Sequence, residues 1–156
     1  MEHNRTLEEN KALLRRMVEE ILNRKNLAAI PDFVADNYID HSASAGQPAG
    51  IEAFVAARIK RNTAFPDWHV VLDDVIAEGD KVVARATGRG THLGPFMGVA
   101  PTRKFVTTTW ITVYRISHGK LAEHWINGDD LGLLQQLDAV RPTVQLGPVR
   151  PVSNDG

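Results

Sequence analysis

The 156 residues suit one domain, 43% hydrophobic and 24% charged, an average soluble composition. Eighteen Lys plus Arg against nineteen Asp plus Glu leave a formal charge of −1, so the basic excess of a nucleic-acid-binding surface is missing. Cysteine is absent, which excludes disulfides, thiol nucleophiles and cysteine-bound metal. The polar start and the lack of any apolar run near ~20 residues give no signal peptide and no membrane span, and point to a cytoplasmic protein.

The first expected helix starts at a capping box, Thr6 with Glu9, and buries Leu7, Leu13, Leu14, Met17, Val18, Ile21 and Leu22. It ends within Asn23 to Asn26, where a shorter helix begins with Ile30, Phe33 and Val34 on its apolar face; Pro31 is tolerated in its first turn. Tyr38 to His41 reads as a short extended piece leading into the loop SASAGQPAG. A third helix spans Gly50 to Ala64, with Ile51, Phe54, Val55 and Ile59 inward, and Pro66 stops it.

Strands are expected over Trp68 to Ala77 and Lys81 to His92, joined by the turn Glu78-Gly79-Asp80. After the loop LGPFMGVAPTRK, Phe105 to Ile116 forms a third long strand, which Ser117 to Lys120 turns back into Leu121 to Asp129. A short helix, Leu131 to Leu137, closes a domain over 1–140. The remainder, 141–156, holds three of the eight prolines and reads as an extended or disordered tail. Helices followed by antiparallel strands mean α+β: a curved sheet of four long strands, with three N-terminal helices on one face enclosing a pocket.

Strand parity locates that pocket. Val82, Ala84, Ala86, Gly88, Gly90 and His92 share one face, and their small size leaves space, unless the glycines only mark bulges. On the last strand a regular alternation puts Leu121, Glu123, Trp125, Asn127 and Asp129 together, although a bulge would change that parity. Asp129 is the candidate acid/base group, because a poorly hydrated carboxyl holds its proton near neutral pH. Either it or Asp130 must cap the closing helix; with Asp130 as the cap, Asp129 is left free. His41, His92 and His124 lie where segments converge, whereas His3, His69 and His118 read as surface residues. Arg89 and Arg103 are the candidate anion contacts, with solvent exposure as their default. No HExxH pair, G-x-S-x-G elbow or phosphate-binding glycine loop is present, so no metal site is expected.

The stretches ENKALLRRMVEEILN (9–23), YIDH (38–41), VIAEGDKVVARATGRGTHLGPFMGVAPT (75–102) and GKLAEHWINGDDLGLLQQL (119–137) together resemble the SnoaL-like polyketide cyclases, or ester cyclases, of the nuclear transport factor 2-like superfamily. The resemblance covers most of residues 6–138. It implies a cone-shaped barrel, homodimeric and without cofactor, and an acid/base aspartate falling on Asp129, with His41 and His92 facing the cavity. Asn127, Gly128 and Ala86 depart from the family's usual residues and would enlarge and polarise the pocket.

The expected activity is an aldol-type ring closure of a polyketide-like or other small hydrophobic carbonyl substrate. Asp129, His92 and His41 would be catalytic; Trp125, Phe54, Phe96, Asn127, Trp110 and His124 would bind substrate. Isomerisation, dehydration or epoxide opening on the same fold is the alternative, as is a dimeric ligand-binding module without chemistry.

Overall fold

The computed structural model describes residues 2–43, 46 and 49–141; the expected tail from Pro142 onward lies outside the described residues. Helix α1 (Glu2–Met17) continues into a π-helical turn over Val18–Asn23. Thr6 therefore lies inside the helix and does not cap it. A 3₁₀ turn and the four-residue α2 (Ile30–Phe33) follow, then β1 (Val34–Asp40), α3 (Gly50–Ala64), β2 (His69–Glu78), β3 (Lys81–Thr91), β4 (Phe105–Ser117), β5 (Lys120–Gly128) and α4 (Asp130–Gln136).

The sheet has five strands, not four, in the order β1-β5-β4-β3-β2. The additional strand is β1, which pairs parallel to β5 at the edge and takes Val34 out of the second helix. Its inner residues are Tyr38 and Asp40; Ile39 is exposed on the other face. The three remaining pairings are antiparallel, as expected. The hairpin between β4 and β5 turns through His118 and Gly119, both at positive φ, as a tight two-residue turn requires.

The helices cover one face of this curved sheet, with α1 against β2 and β3 and α3 against β1. The core joins Leu14, Met17, Ile21 and Ile30 from the helical layer to Val82, Ala84, Val106 and Leu121 from the sheet. On α3 the inner stripe holds Phe54, but Ile59 is half exposed, contrary to the expectation from spacing. Arg58 and Arg61 take its place, since 54, 58 and 61 recur at helical spacing.

Along β3 the parity is as expected: even-numbered residues are buried and odd-numbered ones lean outward. The space they leave is partly filled by two indoles. A Cβ on Gly88 would come within 2.8 Å of both Trp68 and Trp110, so glycine there admits the rings against the backbone. Along β5 the regular alternation fails. Arg115 pairs with Glu123 but Ile116 pairs with Leu121, leaving Ala122 as the extra residue of a bulge. Beyond it His124, Ile126 and Gly128 face inward, while Glu123, Trp125 and Asn127 face outward.

The loop after β3 is tied to the end of α3. The amides of Leu93 and Gly94 both donate to the Ala64 carbonyl, at 2.9 and 3.1 Å. Among the described residues, no helix is long and apolar enough to cross a membrane.

Candidate functional site

Between α3 and the inner face of β4 and β5 lies a pocket with about 90 Å³ of water-accessible volume. Leu22, Trp68, Val70, Trp110, Ile126 and Leu133 make its apolar wall, and Arg58, Arg61, Tyr114, His124 and Asp130 are its ionisable groups.

His124 is buried, and β1 fixes its orientation. Its Nδ1 lies 3.3 Å from an Asp40 carboxylate oxygen, and its ring stacks on Tyr114 with centroids 4.6 Å apart. Burial alone would raise the Asp40 pKa, but hydrogen bonds from His124 and from the Ser42 hydroxyl and amide outweigh it and hold the carboxyl well below its usual range. Asp40 is therefore an anion, and the His124 nitrogen facing it must donate. The ring's other nitrogen, Nε2, is sealed from solvent and has no partner among the described residues. Burial raises the Tyr114 pKa above its ordinary value, so its phenol stays protonated at neutral pH.

The two arginines reach the pocket from α3. The Arg58 guanidinium carbon sits 5.4 Å from the Phe54 ring centroid. That of Arg61 lies 4.6 Å from Phe96, 4.8 Å from Trp68 and 5.7 Å from Phe65, a cradle of aromatic faces that favours a cation. Arg58 Nε and Arg61 Nη1 are both solvent-inaccessible and have no hydrogen-bond partner among the described residues. Desolvation first, then the neighbouring Arg58, pull the Arg61 pKa down to about 10, while Asp130 acts in the opposite direction. Arg61 is thus still charged at neutral pH.

Of the residues expected at the site, Trp110 and His124 line this pocket. Phe54 and Phe96 are buried behind it as the ring faces beneath Arg58 and Arg61. The others lie elsewhere. His41 stacks on Trp125 on the outer side of the sheet, centroids 4.6 Å apart, and its Nε2 is 3.1 Å from Glu123. Hydrogen bonds from His41 and Arg115 hold the Glu123 carboxyl below its usual range. His92 is fully buried against Phe65; its Nδ1 accepts from the Thr102 amide and its Nε2 has no partner, yet it does not line the pocket.

Asp129 and Asp130 exchange their expected roles. The Asp129 carboxylate accepts the Gly132 amide at 2.8 Å as the N-cap of α4, and its residue is exposed. It borders a second, outer cleft of about 390 Å³ with Arg85, Ile111 and Asn127. Asp130 stands at the rim of the inner pocket. The dry surroundings expected for Asp129 are not there.

The pocket's arginines and Asp40 went unseen in the sequence. The signal for Arg58 and Arg61 was present, two cations sharing an apolar helical stripe with Phe54, whereas Arg89 is exposed and Arg103 does not border the pocket. Among the described residues, no group of three or more His, Asp or Glu side chains could hold a metal ion.

The model of the SnoaL-like polyketide cyclase family matches residues 12–137. Among solved structures, TsrD from Streptomyces laurentii is 28% identical with a TM-score of 0.79, over 85% of this chain and 96% of that one. AclR from Streptomyces galilaeus, a candidate hydroxylase, is 29% identical with a TM-score of 0.76, over 89% and 91%. IdmH from Streptomyces antibioticus, a candidate polyketide cyclase, is 27% identical with a TM-score of 0.71, over 83% and 98%. No curated protein matches significantly in sequence.

Proposed function

Because the chain belongs to the SnoaL-like polyketide cyclase family, we propose that it closes a ring within a small carbonyl substrate by a cofactor-free, aldol-type reaction in the inner pocket. The supporting observation is the Asp40–His124 pair on a pocket-lining ring, which leaves one buried imidazole nitrogen with no partner among the described residues.

With Nδ1–H directed at Asp40, the neutral ring carries its lone pair on Nε2, the arrangement of a general base. Nε2 takes a proton from the carbon beside a substrate carbonyl, and the electrons of that C–H bond move into the carbonyl to give an enolate. The charge of Arg58 stabilises the enolate oxygen, and Asp40 stabilises the imidazolium. The enolate carbon then bonds to a second carbonyl carbon of the same molecule. The resulting alkoxide recovers the proton from His124, so no atom or electron is gained or lost. Holding both carbonyls together in the pocket supplies the orientational part of the rate.

The family resemblance assigned the base to Asp129. Its engagement in the α4 cap and its position at the outer cleft are why the role moves to His124 in this reading. Homodimerisation belongs to the same proposal and is supported by the exposed Val71, Ile76 and Ile111 on the outer sheet face; light scattering tests it.

The decisive assay follows ring closure of a panel of small diketones and keto esters by chromatography, with wild type, His124→Gln and Asp129→Asn. His124→Gln is expected to lose about 10²–10⁴-fold in kcat, while Asp129→Asn stays near wild type. The opposite pattern would move the chemistry to the outer cleft. Binding without turnover in every case would leave a ligand carrier.

A further inference from the structure

Two guanidinium groups, Arg58 and Arg61, border the pocket from α3. They stand one helical turn apart, and the charge of Arg58 disfavours that of Arg61. Facing them are Asp130 at the rim and the His124 ring, whose companion Asp40 is already engaged by His124 and Ser42. Among the described residues neither guanidinium forms an ion pair, and each keeps one N–H donor buried without a partner. Leaving such a donor unsatisfied is costly, and more so on a charged group.

One developing charge, the enolate, accounts for one of the two cations. The other has no counterpart in the reaction as written. Its surroundings specify what would fit. The Arg61 guanidinium carbon sits 4.6 Å from the Phe96 ring, 4.8 Å from Trp68 and 5.7 Å from Phe65, and its side chain borders the pocket. A planar fork matches a carboxylate better than a tetrahedral anion or a neutral carbonyl. The indoles of Trp68 and Trp110, together with Leu22, Val70, Ile126 and Leu133, would cover an apolar, preferably flat, body attached to it.

The geometry points to a substrate that carries a free carboxylate on a flat apolar body, the carboxylate held by Arg61 while Arg58 serves the reacting carbonyl. This rests on the reading of the inner pocket as the reaction site, but it is tested by binding alone.

The probes are benzoate, its neutral isostere benzamide and inorganic phosphate, titrated against the full chain by calorimetry. Wild type is expected to bind benzoate at least ~10-fold more tightly than benzamide, as a charge-assisted contact predicts. Arg61→Gln should abolish that preference, and Arg61→Lys should restore part of it without the planar fork. Asp129→Ala, outside the pocket, should bind benzoate as wild type does, and because binding and not turnover is read, the result is separate from the fate of the proposed base. Equal binding of benzoate and benzamide would overturn it and leave Arg61 as a cation cemented by aromatic rings. Phosphate binding as tight as benzoate, or a preference that survives Arg61→Gln, would overturn it as well. If Arg61→Gln does not fold, the wild-type comparison and Arg61→Lys still decide the matter.

Discussion

The two faces of the sheet where β4 meets β5 hold nearly the same residue types and do different things with them. Outside, His41, Glu123 and Arg115 form a mutually satisfied polar cluster in contact with solvent, and Asp129 is occupied by a helix cap. Inside, His124 is buried and Arg58 and Arg61 are half-buried, and one nitrogen of each is inaccessible and without a hydrogen-bond partner among the described residues. A histidine beside a carboxylate is therefore not in itself a reactive unit. Each ring has one nitrogen on a carboxylate; what separates His124 from His41 is the surroundings of the other nitrogen, buried in His124 and part of a solvent-exposed ring in His41. The single extra residue Ala122 sorts the β5 side chains between the two faces.

Inserting one residue between Glu123 and His124 is the harshest way to break that contrast. With Glu123 held opposite Arg115, His124, Ile126 and Gly128 would be carried to the outer face, because a one-residue slip inverts every side chain beyond it. Loss of the cooperative thermal transition is expected, followed by circular dichroism. Gly88→Ala attacks only the inner face: its methyl would collide with both Trp68 and Trp110, with an expected loss of about 1–3 kcal/mol in denaturant unfolding.

Acid sharpens the comparison. The Asp40 pKa is depressed in the folded state, so its stabilising share is complete above the unfolded value, about 3.9, and fades as the pH falls below it. Asp40→Asn should lower Tm at pH 7 and flatten the decline of Tm below about pH 4. A variant whose acid curve parallels wild type would show that the pair contributes nothing to folding. Smallest of all, Asp129→Ala should cost about 1 kcal/mol, as lost N-caps do, and leave benzoate binding at the inner pocket intact.

The sequence made the two faces of β3 legible because eleven unbroken residues alternate against a solvated side. On β5 regular alternation puts Trp125, Asn127 and Asp129 with Leu121; Glu123 in the same set is the local sign against it, and the bulge at Ala122 is what breaks the parity. β1 was only half visible. Seven residues containing two Asp and an Asn carry little strand signal, and their partner lies more than eighty positions away in a parallel pairing. Within YIDH, one residue of parity decides that Asp40, and not His41, meets His124. Arg58 and Arg61 were readable in principle. Ile59 took their place on the stripe because hydrophobicity, and not the angular position shared with Phe54, decided the choice.

The hook of Leu93 and Gly94 onto the Ala64 carbonyl ties the last turn of α3 to the segment that leaves β3. A side chain at Gly94 would press within 2.9 Å of the Thr63 carbonyl carbon, so the fastening tolerates no added bulk. That helix carries Arg58 and Arg61, and the spacing between the two cations and the indoles is set partly by a stretch that never lines the chamber. Transplanting residues 93–104 between relatives is thus a route to new selectivity that leaves every wall residue untouched.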